Sequence, residues 1–176
     1  MSSQDILIGT AGVYYLMSEL SRMGFHAAAT HGNAPNIDVL VCSSDGKETA
    51  AIQVKSSGWA IRTSGRGADK TITKLDFALG PKAAKINSEK VFVAFVDFAN
   101  ANTKKPDVYL MPSTDLFKFC ESWVDKVPMV RYQPTLEQAA PYKNELGWDR
   151  LKHLRAVPPI ATEADQAEQP VESPTT

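Results

Sequence analysis

Two short runs of the chain, IDVLVC from Ile37 and TAAIQVKS up to Ser56, alternate apolar and polar side chains. A period of two is what a half-buried strand requires. Asp45-Gly46 between them is a hairpin signal, because a type I′ turn needs positive φ at both central positions. With the turn centred there, Ile37 faces Val54, Val39 faces Ile52 and Val41 faces Ala50 on one apolar side. On the other side Asp38 faces Gln53 and Leu40 faces Ala51, and Lys55 follows two residues after Gln53. Directly opposed residues have Cβ atoms about 5 Å apart. The spacing therefore predicts a carboxylate, an amide and an ammonium on one patch of rigid strand.

Upstream, Ile6, Val13, Leu16, Met17, Leu20 and Met23 recur at three- and four-residue steps. This predicts a helix over Ile6–Met23, with Asp5 in its first turn and Gly24 as its stop. Gly9 and Gly12 would each weaken an isolated helix by about 1 kcal/mol relative to Ala. Their presence points to close backbone approach, to another element or to a ligand. Phe25–Thr30 reads as a short strand and His31–Asn36 as a loop, with Pro35 unable to donate in a central strand. The chain thus starts αβββ.

Downstream, Ser57–Asp69 is polar, basic and rich in glycine, with Gly65 and Gly67 freeing its tip. Thr71–Glu89 has no clear period, apart from a short helix that Pro81 could open. Val91–Phe98 reads as a buried strand with Asp97 at its end, and Val108–Met111 as another. Ser113 or Thr114 is expected to cap a helix to about Val124. Val127–Tyr132 reads as extended. Between Leu136 and Arg155 one or two helical turns precede a helix packed through Leu146, Trp148, Leu151 and Leu154. From Val157 the chain is rich in Pro, Glu, Thr and Ala, which predicts a disordered acidic tail after a domain spanning 1–156.

Composition changes this picture little. The 176 residues suit one core, and 43% hydrophobic with 22% charged residues is ordinary for a globular domain. No apolar run nears the roughly 20 residues that span a bilayer. The start has no basic flank before an apolar stretch, so no secretion signal is expected. Cys42 and Cys120 read as free thiols in a reducing cytoplasm. The net charge of −1 conceals an asymmetry. Glu163, Asp165, Glu168 and Glu172 have no base among them, so residues 1–156 are net positive. Gln53–Lys90 holds eight bases against three acids, beginning at the candidate patch. Such a segment is either a solvated surface or one that tracks phosphates. Within it, Trp59 with Arg62, Arg66 and Lys70 could stack on bases and pair phosphates, or form a loop anchored by one Trp.

Asp38 on one strand and Gln53-Val54-Lys55 on the next, after a helix, resemble the PD-(D/E)XK, or restriction-endonuclease-like, nuclease superfamily. The resemblance runs from about Gly9 to Ser57, and loosely to Ser113. It implies an α/β fold with an αβββαβ core, a mixed central sheet flanked by helices. It also implies metal-dependent hydrolysis of DNA phosphodiester bonds, with Mg²⁺ or Mn²⁺ held by Asp38, the Gln53 amide oxygen and the Val54 carbonyl. Lys55 would orient or activate water, or offset phosphate charge. A homodimer acting on DNA is the implied assembly. The chain departs from the pattern where many similar sequences place an acid after a helical glycine, since Val13 follows Gly12. Glu19 is the remaining acid in that helix and the candidate replacement. Its alternative is a surface residue pairing Arg22, as Asp38 with Lys55 could be a plain cross-strand ion pair. The rival function is a protein that keeps this fold with a weakened or inactive site and binds nucleic acid or a protein partner. His26, His31 and His153 have no zinc-like spacing with either cysteine, and neither a P-loop nor a dinucleotide glycine fingerprint is present.

Overall fold

The structure is a computed structural model that describes residues 3–31, 36–69, 71–99 and 104–154. The expected tail from Val157, Pro35 and Lys70 lie outside the described residues.

Helix α1 (Ser3–Arg22) leads into strands β1 (His26–Ala29), β2 (Val39–Cys42) and β3 (Thr49–Ser57). After an excursion the chain returns as β7 (Val91–Asp97) and β8 (Asp107–Pro112). These five strands form one sheet in the order β1-β2-β3-β7-β8. Only β3 and β7 run parallel; the other pairs are antiparallel. A parallel neighbour requires a long crossover. Here it carries strands β4 (Ile61–Ser64), β5 (Thr71–Leu75) and β6 (Phe77–Ala78) and the one-turn helix α2 (Pro81–Ala84). The expected mixed α/β architecture is thus present.

Alternation along β3 divides the interior in two. Ala50, Ile52 and Val54 pack with Leu16 and Leu20 of α1 and with Phe92 and Ala94 of β7. Gln53 and Lys55 point the other way, beside Val93 and Phe95 in the parallel ladder. Those two belong to a second cluster with Phe77, Tyr109, Leu116 and Tyr132, covered by helix α3 (Ser113–Cys120).

The hairpin register is the expected one: Val39 pairs with Ile52, Leu40 with Ala51 and Val41 with Ala50. Its turn is not type I′, because Gly46 has positive φ (72°) and Asp45 does not. The Gly46 N–H donates to Ser43 O at 2.9 Å and the Ser43 N–H to Glu48 O at 2.9 Å, which closes a longer loop. Asp45 Oδ1 accepts from the Ser43 hydroxyl at 2.6 Å and the Lys47 N–H at 3.2 Å, bracing that loop. A two-residue and a four-residue loop share one centre, so the pairing survives the change of turn.

Other elements also differ from expectation. Strands β4 and β5 form an antiparallel ribbon with a bulge after Arg62. Helix α3 stops at Cys120, short of Val124, and its N-cap position is Pro112. Ser113 does not cap it; its hydroxyl donates to Ser88 O and accepts from the Ser88 N–H. Of Val127–Tyr132, only β9 (Arg131–Tyr132) is strand, paired with β6. Thr135 forms a capping box with Gln138 on helix α4 (Leu136–Ala139), and α5 (Asn144–Trp148) runs into a 3₁₀ segment, Asp149–Leu154. Trp148, Leu151 and Leu154 are buried there, but Leu146 is 59% exposed. Those three are spaced by three, the 3₁₀ repeat, and Leu146 is off it.

The two helical glycines separate. A Cβ on Gly12 would sit 1.7 Å from Ser56 Oγ and 2.9 Å from Ser56 Cβ, so α1 lies against β3 there. A Cβ on Gly9 would meet nothing within 4 Å. Gly12→Ala is expected to lower stability by about 1–3 kcal/mol through overpacking. Gly9→Ala should raise it by up to about 1 kcal/mol through helix propensity. Denaturant titration of the two variants checks the opposite signs.

Candidate active site

Asp38 sits just before β2, and its backbone N–H donates to Ile52 O at 3.0 Å. That bond turns its side chain across β3. Asp38 Oδ2 accepts from the Val54 N–H at 2.7 Å and from the Gln53 amide nitrogen. Gln53 is buried, so its amide cannot exchange this partner for bulk water. Among the described residues, Oδ1 of Asp38 accepts no hydrogen bond.

Lys55 is half-buried on the Gln53 side of β3. Burial pulls its ammonium pKa below the usual lysine value, and the Asp38 charge raises it only part of the way back. Lys55 makes no ion pair within 4.0 Å among the described residues. The plain ion-pair alternative for Asp38 and Lys55 is therefore not formed. The two are near enough to feel each other's charge and too far apart to neutralise it.

Glu19 is not brought to this patch. It lies on α1, over the opposite face of the sheet, where it pairs with Arg22 at 3.1 Å and approaches Lys105 at 3.9 Å. It lines a polar cleft with Tyr15, Asp107 and Asn144. No group of three or more His, Cys, Asp or Glu side chains is placed to hold a metal among the described residues. The oxygen set the patch offers is the Asp38 carboxylate, with the amide oxygen of Gln53 joining it on a flip of the amide that now turns its nitrogen to Asp38. One carboxylate with neutral oxygens fits Mg²⁺, which keeps several waters and binds through one or two carboxylates plus substrate phosphates.

The predicted nucleic-acid residues separate as well. Trp59 is 59% exposed, in the short link between β3 and β4. Arg66 is exposed at the ribbon's tip. Arg62 is engaged: its Nε donates to the buried Asp76 at 2.7 Å. Arg131 Nε reaches the other oxygen of Asp76 at 2.5 Å. Burial pushes the Asp76 carboxyl up, but hydrogen bonds from Arg131, Gln133 and Arg62 and the Arg131 charge leave it below the ordinary range. This clamp was not anticipated, although an acid isolated in the apolar run Leu75-Asp76-Phe77-Ala78-Leu79 signals a paired buried charge. Asp97 ends β7 as expected, and its Oδ1 accepts from the Ala60 N–H at 3.1 Å and the Ala99 N–H at 3.0 Å. Cys42 and Cys120 are free, and burial lifts the Cys120 thiol to about 11.

The fold is similar to that of a bacterial homing endonuclease, I-Ssp6803I, with a TM-score of 0.51 and 13% sequence identity over 86% of this chain and 92% of that one. The chain has a nuclease-like fold. No protein-family model matches the chain, and no curated protein matches it. Among the described residues, no helix is long and apolar enough to cross a membrane.

Two measurements follow from the charges. In a lysine-labelled NMR titration, Lys55 should titrate below the exposed lysines. Asp38→Asn should lower it further, because the charge that raises it is removed. For Asp76, a depressed folded pKa gives stability that is complete above the unfolded value, near 4, and is lost as pH falls through the folded value. Asp76→Asn should therefore destabilise the protein at neutral pH by about 2 kcal/mol and flatten the acid limb of its stability profile.

Proposed function

We propose that the chain is a metal-dependent nuclease of the PD-(D/E)XK kind, hydrolysing DNA phosphodiester bonds at Asp38, Gln53 and Lys55. The observation that carries this reading is Lys55: a half-buried, unpaired ammonium on a rigid strand beside a carboxylate with one oxygen uncommitted. Desolvated charged groups are costly, and they gather where chemistry uses them. Phosphodiester hydrolysis asks for what this patch offers. Charge builds on the phosphoryl oxygens, and a water must be oriented in line with the leaving group.

Asp38, with the amide oxygen of Gln53 and the Val54 carbonyl, would hold Mg²⁺ or Mn²⁺. The ion supplies Lewis acidity and a water of lowered pKa when bound. The Val54 N–H fixes the Asp38 carboxylate, and the Gln53 amide would turn its oxygen toward the ion. Lys55 places its ammonium against the phosphate or the attacking water. Its lowered pKa suits it to hand over a proton nearer neutrality than a solvated lysine can. Glu19 has no part in this arrangement unless α1 moves, because it is bound across the sheet.

A second reading is favoured by Val13 and by the single carboxylate at the patch: the fold retained for binding, with weakened or no cleavage. The two readings divide on one experiment. Plasmid and linear duplex DNA are incubated with protein and Mg²⁺ or Mn²⁺. On the nuclease reading, Lys55→Ala lowers the cleavage rate by at least about 100-fold. Asp38→Ala abolishes cleavage, and both variants still bind DNA. Salt-sensitive binding with no cleavage in either metal leaves the binding reading. Cleavage that both substitutions leave intact overturns this assignment of the site.

A further inference from the structure

The ribbon β4–β5 is the part of the molecule that folding alone does not explain. Its root is firmly held. Ala60 and Leu75 are buried, Asp97 accepts from the Ala60 N–H, and the Asp76 N–H donates to Ala60 O at 2.8 Å. Arg62 and Arg131 clamp Asp76 from either side. Beyond that root every described residue from Arg62 to Thr73 is exposed, including Ile72 at 49%. A lone two-stranded ribbon is marginal in water, so a stiff base under a bare arm indicates a surface made to be covered.

Its chemistry suggests by what. Thr63, Ser64 and Thr71 present hydroxyls, Arg66 a guanidinium at the tip, and Ile72 an aliphatic group, against one acid, Asp69, while the Thr73 hydroxyl donates to Arg62 O at 3.3 Å within the ribbon. Hydroxyls and cations position a protein on phosphates, and an apolar side chain can meet a thymine methyl. The dimensions agree. Five residues from Ile61 to Gly65 extend about 17 Å at roughly 3.3 Å each. The B-form major groove is about 12 Å wide and 8.5 Å deep and admits a two-stranded ribbon. The corresponding groove of A-form RNA is deep and too narrow for side chains to read.

We infer that the ribbon β4–β5 enters the major groove of B-form duplex DNA and sets where the Asp38–Lys55 patch meets the backbone. The inference rests on the nucleic-acid reading above and adds to it the form of the substrate and the element that grips it. The ribbon leaves the same strand that carries Gln53 and Lys55, and Asp97 and Asp76 fix its root. Groove position and cutting position are therefore coupled through β3. Asp76 and Arg62 act as positioning residues, and contact with DNA falls to Arg66, Ile72 and the ribbon hydroxyls.

The test measures binding by fluorescence anisotropy at low salt, without divalent metal. It uses a duplex DNA of about three helical turns and the duplex RNA of matching sequence. Three proteins are compared: wild type, Arg66→Glu, and a variant with the ribbon shortened between Ser64 and Thr71. The expected result is DNA binding at least tenfold tighter than RNA binding. Each ribbon change should weaken DNA binding at least tenfold with an unchanged melting temperature. Methyl green, a major-groove ligand, should displace the protein, and netropsin, a minor-groove ligand, should not. Equal affinity for the RNA, displacement by netropsin alone, or undiminished DNA binding by a folded shortened variant would overturn the inference. So would a change of oligomeric state on shortening without loss of DNA affinity, which would make the ribbon a protein interface. Asp38→Ala separates the two readings. If it and wild type bind through the ribbon but neither cleaves, the groove inference stands and the nuclease reading fails. If cleavage survives shortening at full rate, the reverse holds.

Discussion

The register between β2 and β3 is the constraint on which the candidate site depends. A strand's side chains alternate, so a slip of one residue would exchange faces for the whole of β3. Ile52 and Val54 would leave α1, and Gln53 and Lys55 would be driven into the aliphatic cluster that Leu16 and Leu20 now fill. The burial of one face therefore enforces the composition of the other. Asp38 adds a second tie, because its side chain accepts from the Val54 N–H across the hairpin. The same bond that orients the carboxylate also reports the register.

That division has a consequence for the helix. Gly12 lets α1 lie against Ser56, which brings the helix close to the sheet. It brings it to the wrong face for a side chain on α1 to reach Lys55 through the sheet. An acid could join the patch only from the rim, and Glu19 is drawn instead to Arg22 and Lys105. Val13 itself packs against the aliphatic cluster, as an apolar residue at that step of the helix should. The apolar residue at Val13 and the remote position of Glu19 are thus one fact: this helix contributes packing to the site and no charge.

What could be read in advance follows from which elements carry their own core. The helix, the hairpin, β7 and β8 each show a full apolar face in sequence, and each is present. The register was recoverable even with the wrong turn type, since the Asp45-Gly46 centre is common to both loops. The β4–β5 ribbon was opaque because it buries almost nothing. Thr71–Lys74 has no apolar period to detect, and its strand character exists only through pairing with Ile61–Ser64 across a bulge. Ser113 was misread because a serine before a helix is equally able to tie a neighbouring loop, here at Ser88. Leu146 was misread because it stands only two residues before Trp148, off the three-residue spacing that Trp148, Leu151 and Leu154 share. Of the site, Asp38 and Gln53 meet as the alternation required, Lys55 lies on their side of the sheet without a bond to either, and Glu19 does not meet them.

The placing of Lys55 near Asp38, without a bond between them, bears on what such a patch is for. A surface ion pair contributes little, and would leave lysine solvated with its pKa near the ordinary value. Here burial depresses it, and the nearby carboxylate only partly compensates. A leucine or methionine at position 55 would fill the same space without desolvating a charge, so folding gives no reason for lysine there. Nor does folding require an acid at position 38 with one oxygen uncommitted. Both groups lower the cost of receiving something else: an anion for the ammonium, a cation for the carboxylate. On the nuclease reading, a phosphodiester with its counterion would supply both at once.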